Sequence, residues 1–168
     1  SLAEAKKIVD IAHDTIKSWS DAYEIKFSPS FNVTGGEPFL SFFLPDILDY
    51  LRIKGFDIFL LTNGTMIDGE KTRMLSEVPV QGVQVSFEGP EAVHDRIRGK
   101  GSFRKAMEGV DQLLNAGLAV NLNVTLSSIN CDYLKELVEL ATSMGVERLG
   151  FSRLVPYGRG KDLIDRMI

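Results

Sequence analysis

The sequence predicts an α/β fold built on a parallel sheet. Apolar positions switch repeatedly between helical and strand spacing, glycines close many of the segments, and the chemically distinctive motifs fall at the carboxyl ends of the strand-like segments. A strand, helix, strand order sustained over five units requires right-handed crossovers between neighbouring strands. In such sheets ligands bind beyond the carboxyl ends of the strands.

Each element has its own signal. Ile8, Ile11, Ala12, Ile16 and Trp19 recur at helical spacing and give an amphipathic helix over 2–19. Residues 23–30 form either a short edge element or a loop interrupted by Pro29, and 31–33 read as a strand. A helix over 42–53, capped by Gly55, leads to a strand over 57–61, a short helix over 70–77 and a strand over 83–87. Ser102 is placed to cap a helix over 103–116 that Gly117 ends. The strand over 119–126 puts Val120, Leu122, Val124 and Leu126 on one side and Asn121, Asn123 and Thr125 on the other. A helix over 132–144, stopped by Gly145, precedes a last strand beginning at 148–151.

Composition sets the class: 168 residues, 44% hydrophobic and 25% charged, suit one ordinary folded domain with a sizeable core. A net charge of −4 gives no electrostatic reason to expect nucleic acid or an anionic membrane as partner. No apolar run approaches a bilayer span, and no leader-like segment precedes a small-residue cleavage site. The single cysteine, Cys131, makes no disulfide framework, so a reducing cytoplasm is the expected compartment. It reads as a residue at a helix start without redox duty.

The most distinctive segment is Thr34-Gly35-Gly36-Glu37-Pro38, which follows directly on a strand. Two glycines let backbone approach a ligand closely, and the glutamate beside them can receive an ammonium group through a charge-assisted hydrogen bond. The plain alternative is a tight strand-to-helix turn whose glutamate complements a helix N-terminus. Ser86 and Glu88 end another strand before the turn Gly89-Pro90. They offer a hydroxyl and a carboxylate either to sugar hydroxyls or to the turn itself. Arg98 has the fork geometry to hold a carboxylate, with an internal ion pair to Asp95 or Glu91 as the alternative. His94 reads as structural, and His13 carries no functional signal. Thr62-Asn63-Gly64 makes a turn at a strand end. Asn121, Asn123 and Thr125 share the face opposite the apolar one, where polar groups imply ligand or water.

In order and spacing these segments, together with Val85-Ser86-Phe87-Glu88-Gly89-Pro90, His94-Asp95-Arg96-Ile97-Arg98-Gly99 and Phe151-Ser152-Arg153-Leu154-Val155-Pro156-Tyr157-Gly158-Arg159-Gly160, resemble the core of the radical S-adenosylmethionine (SAM) enzymes. The match is nearest to the relatives that mature sulfatases, modify peptides or carry an added cysteine-rich SPASM domain. That resemblance implies an incomplete parallel (β/α)6 partial TIM barrel lacking its first strand. It implies SAM binding by Gly35, Gly36, Glu37, Ser86, Glu88, Arg98 and Leu154, with the methionyl amine at the glycine pair, the methionyl carboxylate at Arg98 and adenine at Leu154. Thr62, Asn63 and Asn123 are expected to line the substrate cavity. Arg153 and Arg159 are expected either to meet an acidic substrate or a further domain, or to be solvated.

The family's three-cysteine loop, which holds a 4Fe-4S cluster, has no counterpart around the lone Cys131, since such clusters need several thiolates. The expectation is therefore one radical SAM core domain over 1–168, cut just past the cluster loop and lacking the cysteine-rich C-terminal domain. The metal ligands are absent and the chain alone is inactive. The intact enzyme is expected to generate a 5′-deoxyadenosyl radical and abstract a substrate hydrogen, in peptide modification, sulfatase maturation or haem or quinone cofactor assembly. A non-catalytic SAM-binding or protein-interaction module with a degenerate barrel is the other reading. An exposed sheet edge gives either form a route to dimerisation.

Overall fold

A computed structural model describes residues 1–155, 161 and 164–168. The first helix, α1 (Leu2–Tyr23), opens with a reciprocal capping box between Ser1 and Glu4 and runs past Trp19 to a left-handed Glu24. Residues 24–29 form no regular element, which resolves the choice at 23–30 in favour of a loop. Five strands follow: β1 (Ser30–Val33), β2 (Asp57–Thr62), β3 (Val80–Ser86), β4 (Val120–Leu126) and β5 (Arg148–Arg153). They form one sheet in the order β1-β2-β3-β4-β5, every pair parallel, as the helical crossovers demand. Among the described strands β1 and β5 pair on one side only.

The helices between them are α2 (Leu44–Ile53), α3 (Gly69–Glu77), α4 (Glu91–Arg98), α5 (Ser102–Asn115) and α6 (Leu134–Met144). Strand alternation divides the sheet into two faces. Ile58, Leu60, Val83, Val85, Val120, Leu122 and Val124 are buried, as are Leu48 and Leu51 of α2, Leu75 of α3, Val110 and Leu113 of α5 and Leu137 of α6. The opposite face carries Phe59, Leu61, Gln84, Ser86, Asn121, Asn123 and Thr125, all half-buried. Register sets Gln84 beside Asn121, and Ser86 beside Asn123 and then Gly150. On β3 and β4 a polar inner face therefore runs up to the carboxyl ends of the strands, next to the apolar Phe59 and Leu61 of β2. Among the described residues no helix is long and apolar enough to cross a membrane.

Three expected boundaries are corrected. The helix expected from residue 42 starts at Leu44, because Pro45 belongs in a first helical turn, and a separate short 3₁₀ turn, Pro38–Leu40, precedes it. The helix expected from 132 is split into a 3₁₀ turn, Cys131–Tyr133, and α6. Residues 91–98, for which no element was expected, form α4, and Ser102 does not cap α5. Asp95 does so from the neighbouring helix: its carboxylate accepts Gly101 N at 2.6 Å and Phe103 N at 2.9 Å.

Two glycines fix the distance between α5 and the β2–α3 loop. A Cβ on Gly109 would lie 2.4 Å from the Gly64 carbonyl oxygen, and one on Gly64, at φ +78°, would lie 2.7 Å from Val85 Cγ1. Gly117, at φ +74°, has open space around it. Gly109→Ala is therefore expected to cost about 2–3 kcal/mol through overpacking against backbone. Gly117→Ala should cost only about 1 kcal/mol through backbone conformation. Urea titration of the two variants checks this, and equal losses would contradict the close approach.

Candidate functional site

The site begins where β1 ends. Gly35 adopts φ +156°, which L side chains rarely adopt, and a Cβ added to Gly35 or Gly36 would meet nothing within 4 Å. The loop thus exposes bare backbone with room beside it. Glu37 closes the loop by capping the 3₁₀ turn, accepting Phe39 N at 3.4 Å, and its carboxylate reaches the end of β2. There it accepts the Thr62 hydroxyl at 2.6 Å and Asn63 N at 2.9 Å. The Thr62 hydroxyl in turn accepts Gly64 N at 3.1 Å, while Asn63 Oδ1 accepts both Thr65 N and Thr65 Oγ1. Glutamate, threonine and the glycine turn make one rigid bracket across two strand ends.

A second bracket joins β3 to β4 around Glu88, which is only 2% exposed. Oε1 accepts from Arg98 Nε at 2.9 Å and from Nη2, and Oε2 accepts Thr125 N at 3.0 Å. The Glu88 N–H donates to His94 Nδ1 at 3.3 Å, and its carbonyl accepts Asn130 Nδ2 at 3.0 Å. Asn130 also donates to the Thr125 carbonyl and accepts Ser127 N. Every polar group of Glu88 is engaged within the chain. Burial pushes its carboxyl above the usual carboxylate range, while Arg98 and the Thr125 N–H act against that rise.

His94 is fully buried, edge-on to Phe87 and Phe103 at 5.1 and 5.7 Å between ring centroids. Burial, then the Arg98 cation, pushes its pKa down to about 4 against a smaller opposing effect of Asp95. The imidazole is neutral at pH 7, in keeping with a structural role. The Arg98 alternatives are corrected: its partner is Glu88, because Asp95 is occupied capping α5 and Glu91 pairs with Arg104 at 2.8 Å.

Between these brackets lies a cavity of about 770 Å³, with Asn63, Glu88, Arg98 and Leu154 in its wall. Leu154 continues the sheet, its N–H donating to the Leu126 carbonyl at 3.3 Å. Glu37 adjoins the cavity through its bond to Asn63. Ser86 and Asn123 stand side by side on the inner face leading to it, where Asn123 Oδ1 accepts the Ser152 hydroxyl at 3.0 Å. Thr62, expected in the wall, is buried with its hydroxyl directed to Glu37. Arg153 donates to the Ile168 carbonyl at 3.2 Å, and Arg159 lies outside the described residues, as do Pro156, Tyr157, Gly158 and Gly160. Sequence reasoning did not single out Asn130 or the capping role of Asp95. The spacing Ser127-x-x-Asn130 before a helix was the one available signal for the former. Among the described residues no three His, Cys, Asp or Glu side chains group to hold a metal ion.

A parallel sheet with its loops gathered around a cavity at the strand carboxyl ends defines a domain of the partial α/β barrel type. The model of the radical SAM superfamily matches residues 4–152, and the chain belongs to that family. It is 30% identical over 156 residues to the AdoMet-dependent heme synthase of Oleidesulfovibrio alaskensis, covering 92% of this chain and 40% of that protein. It is 34% identical over 139 residues to the Fe-coproporphyrin III synthase of Methanosarcina barkeri, covering 82% of this chain and 35% of that one. The mycofactocin maturase MftC of Mycolicibacterium smegmatis is 35% identical over 136 residues, covering 80% and 34%. The chain thus spans about two fifths or less of these relatives.

Among solved structures, anSMEcpe with bound AdoMet and Kp18Cys peptide superposes with TM-score 0.73 at 20% identity, over 90% of this chain and 42% of that one. Streptococcus suis SuiB bound to S-adenosylmethionine gives 0.65 at 16%, over 74% and 29%. The five parallel strands match the partial TIM barrel of these neighbours.

The depressed His94 pKa carries a pH signature. Between about pH 4 and the ordinary value of 6.5 the unfolded chain binds more protons than the folded one. The contribution of neutral His94 is therefore full above pH 6.5 and is lost as pH falls through 4. Glu88, raised by burial, works in the opposite sense, its contribution being lost as pH rises through its folded pKa. His94→Gln, which keeps an acceptor for Glu88 N–H, should flatten the rise in urea midpoint over that window relative to the parent chain. Parallel pH profiles would contradict this assignment.

Proposed function

We propose that this chain is the SAM-binding core of a radical SAM enzyme. The observation that carries the reading is the bare Gly35–Gly36 backbone beside Glu37, clamped through Asn63 onto a cavity that Glu88, Arg98 and Leu154 also line. Open space at both glycines and acceptor oxygens nearby suit the amino-acid end of SAM, and a cavity of about 770 Å³ is of the size that takes a nucleoside cofactor. When bound, SAM would supply the adenosyl group for radical chemistry, which belongs to the cofactor rather than to the protein.

The chain's own residues bind and orient. The loop carbonyls and Glu37 hold the methionyl ammonium, with the bracket to Thr62 and Asn63 fixing the carboxylate before the ligand arrives. Arg98 keeps guanidinium N–H groups beyond those given to Glu88 and presents them to the methionyl carboxylate. Glu88 serves first to hold Arg98. Ser86 and Glu88 face the ribose end, Leu154 covers the adenine, and Asn63 and Asn123 address the substrate.

A 4Fe-4S cluster does not fit the residues present, since Cys131 is the only thiol in the sequence and no metal-capable group forms among the described residues. In our reading the cluster loop and a cysteine-rich domain belong to a longer protein, and the length of the relatives supports this. That protein acts in the cytoplasm on a peptide or a cofactor precursor, without nucleic acid or membrane. The β1 edge, unpaired among the described strands, offers a dimer contact. A non-catalytic SAM-binding module is the other reading. The codons upstream of Ser1 separate the two, the first requiring a three-cysteine loop there.

Calorimetric titration tests binding directly. This chain should take SAM weakly, without saturation at low micromolar ligand, because no cluster anchors the cofactor. It should also release no 5′-deoxyadenosine under dithionite after iron and sulfide reconstitution. Gly36→Val fills open space without a backbone clash, so it should fold normally and abolish SAM binding. Low-micromolar affinity, protein-dependent 5′-deoxyadenosine, or unchanged binding by Gly36→Val would each contradict the proposal.

A further inference from the structure

Nε2 of the fully buried His94 finds no hydrogen-bond partner among the described residues, and the rings of Phe87 and Phe103 stand edge-on beside the imidazole. A buried donor without a partner is costly, so packing alone would favour an apolar side chain here.

The other ring nitrogen explains the histidine. Successive residues of a parallel strand turn their N–H groups to opposite neighbours, and Phe87 N donates to the Asn123 carbonyl on the β4 side. Glu88 N therefore faces the β2 side. There the pairing ends with Thr62 opposite Val85, and the chain turns away through Gly64 at φ +78°. His94 Nδ1 stands in for the missing strand carbonyl, accepting Glu88 N at 3.3 Å. Because that nitrogen accepts, the ring proton sits on Nε2, and the orphaned donor is the consequence.

The turn before α4 is built for this contact. A Cβ on Gly89 would lie 2.8 Å from Val93 Cγ1, so a glycine there lets the helix fold back closely over the strand it leaves. Arg98 follows His94 by four residues and shares its face of α4. One side chain takes the backbone of Glu88, the other its carboxylate.

We infer that His94 is a positioning residue for Arg98: it fixes the Glu88 backbone, so that the Glu88 carboxylate holds the guanidinium in the cavity wall with N–H groups left for a ligand carboxylate. This rests on the SAM-binding reading of the cavity and adds a residue that touches no ligand.

Decarboxylated SAM, which lacks the carboxylate and keeps the ammonium, sulfonium and adenosyl groups, separates this role from packing. Amide-shift titrations of the 168-residue chain read weak binding of either ligand. His94→Leu removes the acceptor and should weaken SAM about tenfold, the scale of one hydrogen bond, while leaving decarboxylated SAM unaltered. His94→Gln returns an acceptor and should restore SAM binding. Nitrogen NMR of the parent ring should show Nδ1 bare and Nε2 protonated.

Equal SAM affinity in the parent and a folded His94→Leu, equal weakening of both ligands, failure of a folded His94→Gln to restore SAM, or a proton on Nδ1 would each overturn the inference alone. If neither ligand binds the parent chain, the SAM-binding reading falls and the inference with it. Should His94→Leu not fold, the parent chain decides. SAM should then move the Glu88 amide and His94 Nδ1 resonances where decarboxylated SAM does not, and the same response to both would sink the role.

Discussion

A buried carboxylate that must not be left alone constrains this end of the molecule. Glu88 sits where β3 leaves the sheet, and removing a carboxylate from water costs several kcal/mol, so the chain surrounds it with donors. Arg98 approaches the carboxylate from α4 and Thr125 N–H from β4, while Asn130, in the turn before α6, donates to the Glu88 backbone carbonyl. Each of these segments is thereby fixed relative to the others, and the cavity wall inherits its shape from that requirement. Taking away Arg98 alone would leave an uncompensated buried charge, an imbalance of about 3–5 kcal/mol that Arg98's partial exposure reduces.

The Glu37 bracket does the same at the other end of the sheet with less burial. Both use an acidic side chain from one strand end to hold backbone N–H groups of the next, so the loops gain rigidity that the sheet itself does not extend to them. The division of labour between faces follows from strand alternation. One face carries Val, Leu and Ile against the helices. The other keeps Ser, Asn, Gln and Thr half-buried, polar enough to serve a ligand and insufficiently paired among themselves to form a dry core, as the unpartnered, buried Asn121 Oδ1 shows.

Much of this was legible in the residues. The strands were, because period-two patterning and terminal glycines are local signals, and so was the turn at Gly35–Gly36 after β1, whereas the bonds of Glu37 to Thr62 and Asn63 had no local signal. The short helix α4 was not: its eight residues follow Gly89-Pro90 and end in a glycine-rich turn, so turn signals outweighed the Val93 and Ile97 spacing. The role of Asn130 was equally hidden, because it spans 42 residues to the Glu88 carbonyl and has no local signature. The true partner of Arg98 escaped for a related reason. Asp95 and Glu91 are nearer in sequence, but each is drawn to a different donor once α4 and α5 pack side by side.

The claim on which the functional reading turns is that loops from separate strand ends meet around one cofactor. Amide chemical-shift mapping during a SAM titration tests it most directly. Shifts should concentrate together at Gly35, Gly36, Asn63, Arg98 and Leu154, with the outward helices α1 and α6 unperturbed. Shifts confined to those helices, or scattered over unconnected surfaces while these loop residues stay still, would contradict it.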